Sequence, residues 1–417
     1  MDDKITLNLN NDTGTIDEKD KKKEKGTKGR ILDGKKWLVF LIAGAVGILG
    51  GAACLLFVLL NPVEETTKAL FPGFEPKDQE VSTYSNLTGE RLESQALKNA
   101  PAYCIQTPNG TDGARPQAGL NDAGVVFEAI AEAGITRFAA IYQNPKSAVI
   151  GPIRSLRIYY LEWDTPFDCT IVHAGGADDA LQAVAVGGYK DLSEDYAYMY
   201  RGTYSSRLWN NLFTTSANLQ KFSNDHGYNS SEVQGFSRLT PEDSLKNKVD
   251  SLVTEKLVIT EPTTANTSEL VAKTSSIKLR FGGYPTYNVD YNYNIESNTY
   301  LRSYENGTPH EVYACPSEDL GERNPEDVCS LTQMNPSVVV VMMVSEKRAS
   351  DNYHEEITAI GSGDAYIFQN GTATIGTWNK ASRGEQIKIT DKDGNEIKLA
   401  PGQTFVSAVP TYGSVEY

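Results

Sequence analysis

The sequence lacks the short motifs that mark several common enzyme classes. It contains no GxSxG nucleophile elbow, no Walker phosphate loop and no HExxH zinc motif. Its four histidines are scattered at positions 173, 226, 310 and 354, so a His-rich metal site is not expected. It also has no CxxC pair, which leaves a thiolate zinc site unsupported. The sequence therefore predicts neither a metal nor a cofactor.

An excess of basic charge is also missing. The chain has 417 residues, with 39 Lys and Arg against 54 Asp and Glu, for a net charge of −15. A nucleic-acid partner is therefore not expected without a local basic stripe. At 40% hydrophobic and 22% charged residues the composition is that of ordinary globular protein, and the length suggests two to three domains.

Residues 37–60 are a long uncharged run, WLVFLIAGAVGILGGAACLLFVLL. A helix of this length crosses roughly 30 Å of hydrocarbon, and a helix satisfies its own backbone groups there. Nine Lys or Arg against three acidic residues precede it in residues 19–36. The positive-inside rule then predicts a single-pass protein of the cell membrane, with a cytoplasmic N-terminus and with residues 61–417 outside.

A cleaved signal peptide and a lipoprotein site are the alternatives to a membrane anchor for this run. It is longer than the apolar core of roughly 7–15 residues in a cleaved signal peptide. A lipoprotein site at Cys54, preceded by the small residues GAA, is a rival. However, Leu55–Leu60 continue the apolar run where a polar mature start is expected.

The other four cysteines fall in the predicted external part. Cys315 and Cys329 bracket a polar segment containing Pro and Gly, which predicts a loop-closing disulfide. Cys169 lies in an apolar, strand-like run and is predicted to be a buried free thiol.

The predicted fold class is mixed, α+β and α/β, after an N-terminal transmembrane helix. Residues 1–36 are polar and are predicted to be a disordered cytoplasmic tail, and residues 61–99 are predicted to be a linker. The globular regions predicted are an α/β domain at 100–245, a mixed β segment at 246–330 and a mostly-β domain at 331–417.

Strands and helices alternate in the predicted α/β domain. Strands are expected at Val125-Val126-Phe127, Thr136–Tyr142 and Asp168–His173, with helices at Arg154–Trp163 and Asp178–Val186. Residues 187–230 are expected to be irregular.

Later regions carry strand signals. Tyr284–Tyr300 contains five tyrosines and is expected to form exposed strands and hairpins. Val338–Val344 is expected to be a buried strand. Hairpin turns at Asn370-Gly371 and Asp393-Gly394 predict a small meander or barrel.

Residues 115–176 concentrate the groups that could do chemistry. Glu128 and Glu132 are four apart and would share a face on a helix or a strand, although only a helix brings them within the 5–10 Å or so used in glycan hydrolysis. His173 ends a strand and is a candidate general base. Against these catalytic roles stand an ion-pair network with nearby arginines and a scaffold role for the histidine.

Arginines and glycines in the same stretch point to ligand binding. Arg154 and Arg157 are three apart at the start of the predicted helix, where free backbone N–H groups and guanidinium groups suit an anion. Gly175 and Gly176 allow close approach of a ligand. The alternative is that the arginines anchor the helix to the glutamates. The predicted binding residues are Arg115, Arg137, Arg154, Arg157, Gly175 and Gly176.

Four segments carry a family resemblance: ARPQAGLNDAGVVFEAIAEAGITRFAAIYQ, IGPIRSLRIYY, DCTIVHAGG and the C-terminal IGSGDAYIFQNGTATIGTWNKASR…DGNEIKLAPGQTFVSAVP. They resemble the YerB-like lipoproteins, which are bacterial extracytoplasmic proteins with a two-part domain of unknown function. The resemblance covers about residues 100–412. The residues that match family motif positions are Arg115, Glu128, Glu132, Arg137, Arg154, Arg157 and His173.

The chain departs from the family pattern at two places. A membrane span replaces the family's usual lipobox. The family's PHNLYTS-like segment is here WNNLFTT, residues 209–215, and its histidine is lost. The resemblance implies a cell-envelope location but no settled activity.

Three functional hypotheses follow from the sequence. The first is an anchored envelope protein that binds an anionic or glycan cell-wall ligand through its arginines. The second is a cell-wall glycan hydrolase or transglycosylase that uses Glu128 or Glu132 with His173. The third is a structural partner in an envelope complex, with the acidic surface and the Tyr-rich segment as its docking face.

Overall fold

The apolar runs in the middle of the chain become neighbouring strands of a large mixed sheet. The computed structural model describes residues 83–203, 208–248, 250 and 276–417. Within these residues ten strands form the large sheet, here numbered in chain order and given in spatial order: β18 (Lys388–Asp391), β17 (Thr372–Lys380), β16 (Gly361–Gln369), β13 (Val338–Val344), β19 (Thr404–Pro410), β2 (Val125–Glu132), β3 (Ile135–Gln143), β1 (Ala102–Pro108), β4 (Thr170–His173) and β5 (Asp191–Ser193).

Shorter elements complete the described part. A four-stranded antiparallel sheet has the order β10 (Thr299–Tyr304), β9 (Val289–Asn294), β8 (Ser276–Arg280) and β20 (Ser414–Glu416). Three two-stranded pairs are β6 (Tyr200–Arg201) with β7 (Leu212–Phe213), β11 (Glu311–Ala314) with β12 (Ser330–Gln333), and β14 (Glu346–Arg348) with β15 (Glu355–Ile357). The helices are α1 (Ile158–Asp164), α2 (Asp178–Gly187), α3 (Ser216–His226) and α4 (Pro325–Val328), and residues 241–248 are also helical. Turns of 3₁₀ helix lie at Gln95–Asn99, Leu120–Asp122, Thr165–Phe167, Leu208–Asn210 and Pro285–Tyr287.

Strand β19 joins the two predicted globular regions into one sheet. It lies between β13 and β2 and runs parallel to both, with Thr404 opposite Val338 on one side and Val125 on the other. The predicted α/β and mostly-β regions therefore share a single sheet. Strands β16, β17 and β18 form a meander at the edge of this sheet. Of the meander and the barrel predicted from the sequence, the structure therefore has the meander.

Each face of the large sheet is covered by different elements. Helices α1 and α2 pack on one face, where Trp163 and Phe127 stack with ring centroids 5.3 Å apart. The four-stranded sheet and helix α3 cover the opposite face. Burial on both faces explains why β1, β2 and β19 are mostly apolar along their length and do not alternate between apolar and polar residues.

Two helix predictions in this region need correction. The helix expected at Arg154–Trp163 begins only at Ile158, because residues 154–156 are held in extended backbone by hydrogen bonds to β1 and to the loop after β4. Helix α3 lies within a stretch predicted to be irregular. Its start at the N-cap Thr215 and its end before Gly227 are both ordinary helix signals.

Two further sequence predictions were wrong in detail. The predicted linker 61–99 extends too far, because Leu87 is buried in the main core and the side chain of Arg238 packs against Gly89. The tyrosines of Tyr284–Tyr300 are mostly buried rather than exposed, because one face of β9 and β10 packs against the large sheet. Tyr291 and Tyr300 are fully inaccessible to solvent.

The four cysteines of the described residues form two disulfides. Cys315 and Cys329 form the predicted loop-closing disulfide. Cys169 is not a free thiol, because it is bonded to Cys104, 65 positions earlier. Strands β1 and β4 run parallel with Cys104 opposite Ile171, which places Cys169 near the end of the same strand pair.

The membrane-related predictions concern a different part of the chain. The tail 1–36, the span 37–60, Cys54 and linker residues 61–82 lie outside the described residues, as does part of the predicted segment 246–330. In the part of the chain that the structure describes, no helix is long and apolar enough to cross a membrane.

Candidate functional site

A β-bulge places Glu128 and Glu132 on opposite faces of the sheet. Glu128 pairs with Phe138 across β2 and β3, but the register shifts after Ile130, and Glu132 pairs with Ile135. One extra residue in a strand reverses the facing of everything after it. The expectation that the two carboxylates share a face is therefore wrong. They do not flank one site, as paired hydrolytic carboxylates must.

Glu128 is the centre of a buried ion pair between β2 and β10. One guanidinium nitrogen of Arg302 lies 2.9 Å from each of its carboxylate oxygens, and Thr136 donates from 3.1 Å. Arg302 also donates to the phenol of Tyr291 and to Nδ1 of His310. Glu128 and Arg302 are both fully buried. The carboxylate thus holds the two sheets together and is closed to solvent.

Glu132 is held by two arginines on the other face. Arg137 donates to one of its oxygens and Arg157 to the other, each from 2.7 Å. Burial alone would raise the pKa of Glu132, but the attraction of Arg137 and then of Arg157 outweighs burial, so its pKa lies below the usual value. The glutamate is therefore ionised at neutral pH, and both of its oxygens have partners.

Arg154 is the third arginine around Glu132 and differs from the other two. Among the described residues its side chain has no hydrogen-bond or ion-pair partner, and its Nε atom is buried. Burial is the main cause of its lowered pKa, opposed by the attraction of Glu132, yet an arginine stays protonated in a protein. Its positive charge is available to a ligand.

A cavity of about 640 Å³, here called the Arg154 cavity, lies against this cluster. That volume falls within the usual range for small-molecule sites. Its lining includes Asp112, Arg137, Arg154, Trp209, Asn210 and Tyr353. Glu132 also lines the cavity, so two arginines and two acidic residues face it. Arg157 lies behind Glu132 without lining the cavity, and counting it gives the whole cluster a net charge of +1.

Asp112 is occupied by neighbours other than arginine. Trp209 donates its indole N–H to Asp112 from 3.0 Å, and Asn210 donates its amide from 3.1 Å. Burial would raise the pKa of Asp112, but these two hydrogen bonds help to lower it. Asp112 therefore orients the indole without forming an ion pair with Arg154.

Arg115 belongs to a second, adjoining cavity. Its guanidinium lies over the ring of Tyr304, 3.9 Å from the centroid, and 5.2 Å from the centroid of Tyr287. Its Nε atom donates to the backbone and side-chain oxygens of Asn109 from 2.9 Å each. This Arg115 cavity measures about 650 Å³. The four predicted arginines thus form a group of three and a separate one.

His173, Gly175 and Gly176 position the arginine loop. Both ring nitrogens of His173 face oxygen atoms, the Gly175 carbonyl at 2.7 Å and the Asp191 carboxylate at 2.9 Å. The Gly175 carbonyl also accepts from Leu156, and the Arg154 carbonyl accepts from Ala174. None of the three predicted residues lines the Arg154 cavity. This geometry corresponds to the scaffold alternative for His173.

Several residues of the site had no signal in the sequence analysis. Arg302 bonds Glu128 from 174 positions away, and the spacing of charged residues cannot reveal that contact. His310 joins the group only through Arg302. Trp209 and Asn210 could have been noticed in the sequence, because they begin the segment that departs from the family pattern. In the described residues no group of three His, Cys, Asp or Glu side chains is arranged to hold a metal ion.

The fold and site together define a disulfide-bonded, mixed-sheet protein with an arginine-lined cavity. Residues 87–229 match the N-terminal domain, and residues 277–406 the C-terminal domain, of a family described as "Protein of unknown function (DUF3048)". The chain belongs to this family of bacterial YerB-like proteins.

Two comparisons extend over most of the chain. The chain is 25% identical to "Putative lipoprotein YerB" of Bacillus subtilis (strain 168) over 362 residues, which covers 86% of this chain and 94% of that protein. Its fold is similar to the crystal structure of the YerB protein from Bacillus subtilis, with a TM-score of 0.61 and 22% identity over 80% of this chain and 100% of the other. The similarity in fold is consistent with the mixed N-terminal and mostly-β C-terminal regions predicted from the sequence.

Proposed function

We propose that this protein is anchored in the cell membrane, faces outward, and binds an anionic group of a cell-wall polymer in the Arg154 cavity. The observation that carries the proposal is the Arg154 side chain, which lines the cavity without a partner among the described residues. Arg137 lines the same cavity but is already bound to Glu132, so it adds charge without being free to move. Guanidinium groups bind phosphate and carboxylate well because their N–H groups form a planar fork.

Location is proposed from three features. The uncharged run 37–60 is long enough to be an anchor, and its basic flank predicts an internal N-terminus. The similar protein from Bacillus subtilis is named as a lipoprotein. The two disulfides suit an oxidising compartment outside the cytoplasm. A span at 37–60 and a lipid on Cys54 would both anchor the chain at the same place.

Retention on purified wall material is the experiment that tests binding. The full-length chain and its Arg154→Ala variant are incubated with insoluble cell walls, and the bound fraction is measured over a series of salt concentrations. We expect the variant to lose at least tenfold in retention. Arg91→Ala is the matched control, because it removes the same charge from an exposed surface pair with Glu242.

The outcomes separate clearly. Equal losses in the two variants would mean that retention reflects overall charge rather than the cavity. Unchanged retention in Arg154→Ala, with the unfolding temperature of the parent, would refute the proposal. For the location, protease added to intact cells is expected to remove a C-terminal tag and leave an N-terminal tag, and the reverse pattern would contradict it.

A further inference from the structure

Exposed aromatic rings share the Arg154 cavity with the arginines. The side chains of Trp209 and Tyr353 are 45% and 54% exposed, although large aromatic groups are usually buried. They come from separate parts of the chain, the turn before β7 and the loop of the β14–β15 hairpin. Tyr287 also lines the cavity. A flat ring beside a cationic group fits a ligand that has both an apolar face and a negative charge.

The indole of Trp209 is fixed in place before any ligand binds. Its N–H donates to Asp112, and Asn210 holds the same carboxylate from the other oxygen. A ring that is already oriented loses little conformational entropy on binding. Amide groups of Asn109 and Asn210 and the carboxylate of Asp112 line the wall beside it. Such groups exchange hydrogen bonds with hydroxyls, while the C–H face of a sugar ring packs on an aromatic ring.

The Arg115 cavity adjoins the Arg154 cavity. Thr111 lines both. The Arg115 guanidinium lies between Tyr287, which lines the first cavity, and Tyr304, which lines the second. Each cavity alone is within the size range of a small-molecule site. Two adjoining sites suit a chain of repeated units better than a single small molecule.

We infer that the ligand is an acidic saccharide of at least two units. Its negative group binds at Arg154, the attached sugar ring packs on Trp209, and the next unit passes Arg115 into the second cavity. This inference rests on the proposed function and adds the chemical class of the ligand. A nucleotide also combines an anion with a flat ring, but it does not extend as a chain across both cavities.

Binding to a set of matched probes tests the inference. The full-length protein is titrated with inorganic phosphate, with adenosine monophosphate, and with an array of oligosaccharides of two to eight units. Each carboxylate- or phosphate-bearing oligosaccharide on the array is paired with a neutral one of the same length. We expect an acidic oligosaccharide to bind at least tenfold more tightly than its neutral partner, than inorganic phosphate and than the nucleotide.

Variants of Trp209 supply the decisive readout. Trp209→Ala is expected to weaken binding of the acidic oligosaccharide at least tenfold and to leave binding of inorganic phosphate unchanged. Trp209→Phe keeps a ring without the N–H and is expected to recover most of that loss. Thermal unfolding of each variant shows whether the fold is intact.

Failure of the inference differs from failure of the proposed function. If phosphate or the nucleotide binds as tightly as every acidic oligosaccharide, or if Trp209→Ala changes nothing, the saccharide class is refuted while anion binding stands. If no acidic oligosaccharide binds, the inference is refuted as well. If Arg154→Ala binds every anionic probe as tightly as the parent does, the proposed function is refuted, and the inference that rests on it is refuted as well.

Discussion

Replacing Glu132 by glutamine should destabilise the protein strongly. The carboxylate is 9% exposed and is the ion-pair partner of both Arg137 and Arg157. Glutamine has nearly the same shape but no charge, so two buried guanidinium groups would lose their counter-ion and Arg154 would add to their repulsion. Removing one partner of a buried ion pair typically costs about 3–5 kcal/mol. For a compact unit of the size of Val81–Tyr417 that corresponds to a fall of roughly 4–7 °C in the unfolding temperature.

The pH dependence gives an independent check. The pKa of Glu132 is lowered in the folded protein, so its contribution to stability is fully present above the pKa of the unfolded chain. That contribution is lost as the pH falls through the lower, folded-state pKa. The gap in unfolding temperature between the parent and Glu132→Gln should therefore be constant near neutral pH and should shrink in acid.

Calorimetry of the parent, Glu132→Gln and a control measures both effects. Glu356→Gln is the control, because Glu356 forms an exposed pair with Lys347 that is worth at most about 1 kcal/mol. An unfolding temperature for Glu132→Gln equal to that of the control, at every pH, would refute the ion-pair argument. A stable Glu132→Gln variant that lost glycan-digesting activity would instead revive the catalytic hypothesis for this residue.

Three further predictions concern the rest of the fold. Reduction of either disulfide should destabilise the protein. Loss of the Cys104–Cys169 bond should cost about 4 kcal/mol, more than loss of Cys315–Cys329, because it closes a loop of 65 residues rather than 14. Equal unfolding temperatures with and without reductant would contradict this. Burial raises the pKa of Asp164 to about 8, so the free energy of unfolding should fall as the pH rises from about 4 to 8. Asp164→Asn should therefore be more stable than the parent at pH 9, and this difference in stability should disappear in acid. A difference that does not change with pH would contradict this. Arg302→Met alone should cost about 3–5 kcal/mol by leaving Glu128 buried without a counter-ion, and adding Glu128→Leu should recover most of the loss in urea unfolding; an additive loss in the double variant would oppose this.

Local patterns predicted much of the sheet. Val338–Val344 matches its prediction to the residue, and β2, β3 and β4 lie where apolar runs placed them. These strands are buried on both faces, so their apolar composition predicts them without any knowledge of which strands lie beside them. Helix α2 was also predicted closely, since Gly187 and Gly188 end it.

The site was predicted less well because it depends on register and on distant pairing. A single bulged residue after Ile130 separated the two glutamates, and the sequence AIAE does not show it. The bond between Cys104 and Cys169 required knowing that β1 and β4 are neighbours, which no local pattern reveals. The arginines were identified individually, but which of them lacks a partner depends on side-chain geometry around Glu132.

The central position of β19 has a consequence for how the protein is made. This strand is separated from its neighbour β2 by about 280 residues, yet it fills the gap between β2 and β13. Before it is synthesised, the edges of both neighbours have unpaired backbone groups that favour aggregation. Folding should therefore depend on helper proteins until nearly all of the chain is available, and truncation before residue 404 should leave both strand edges unpaired.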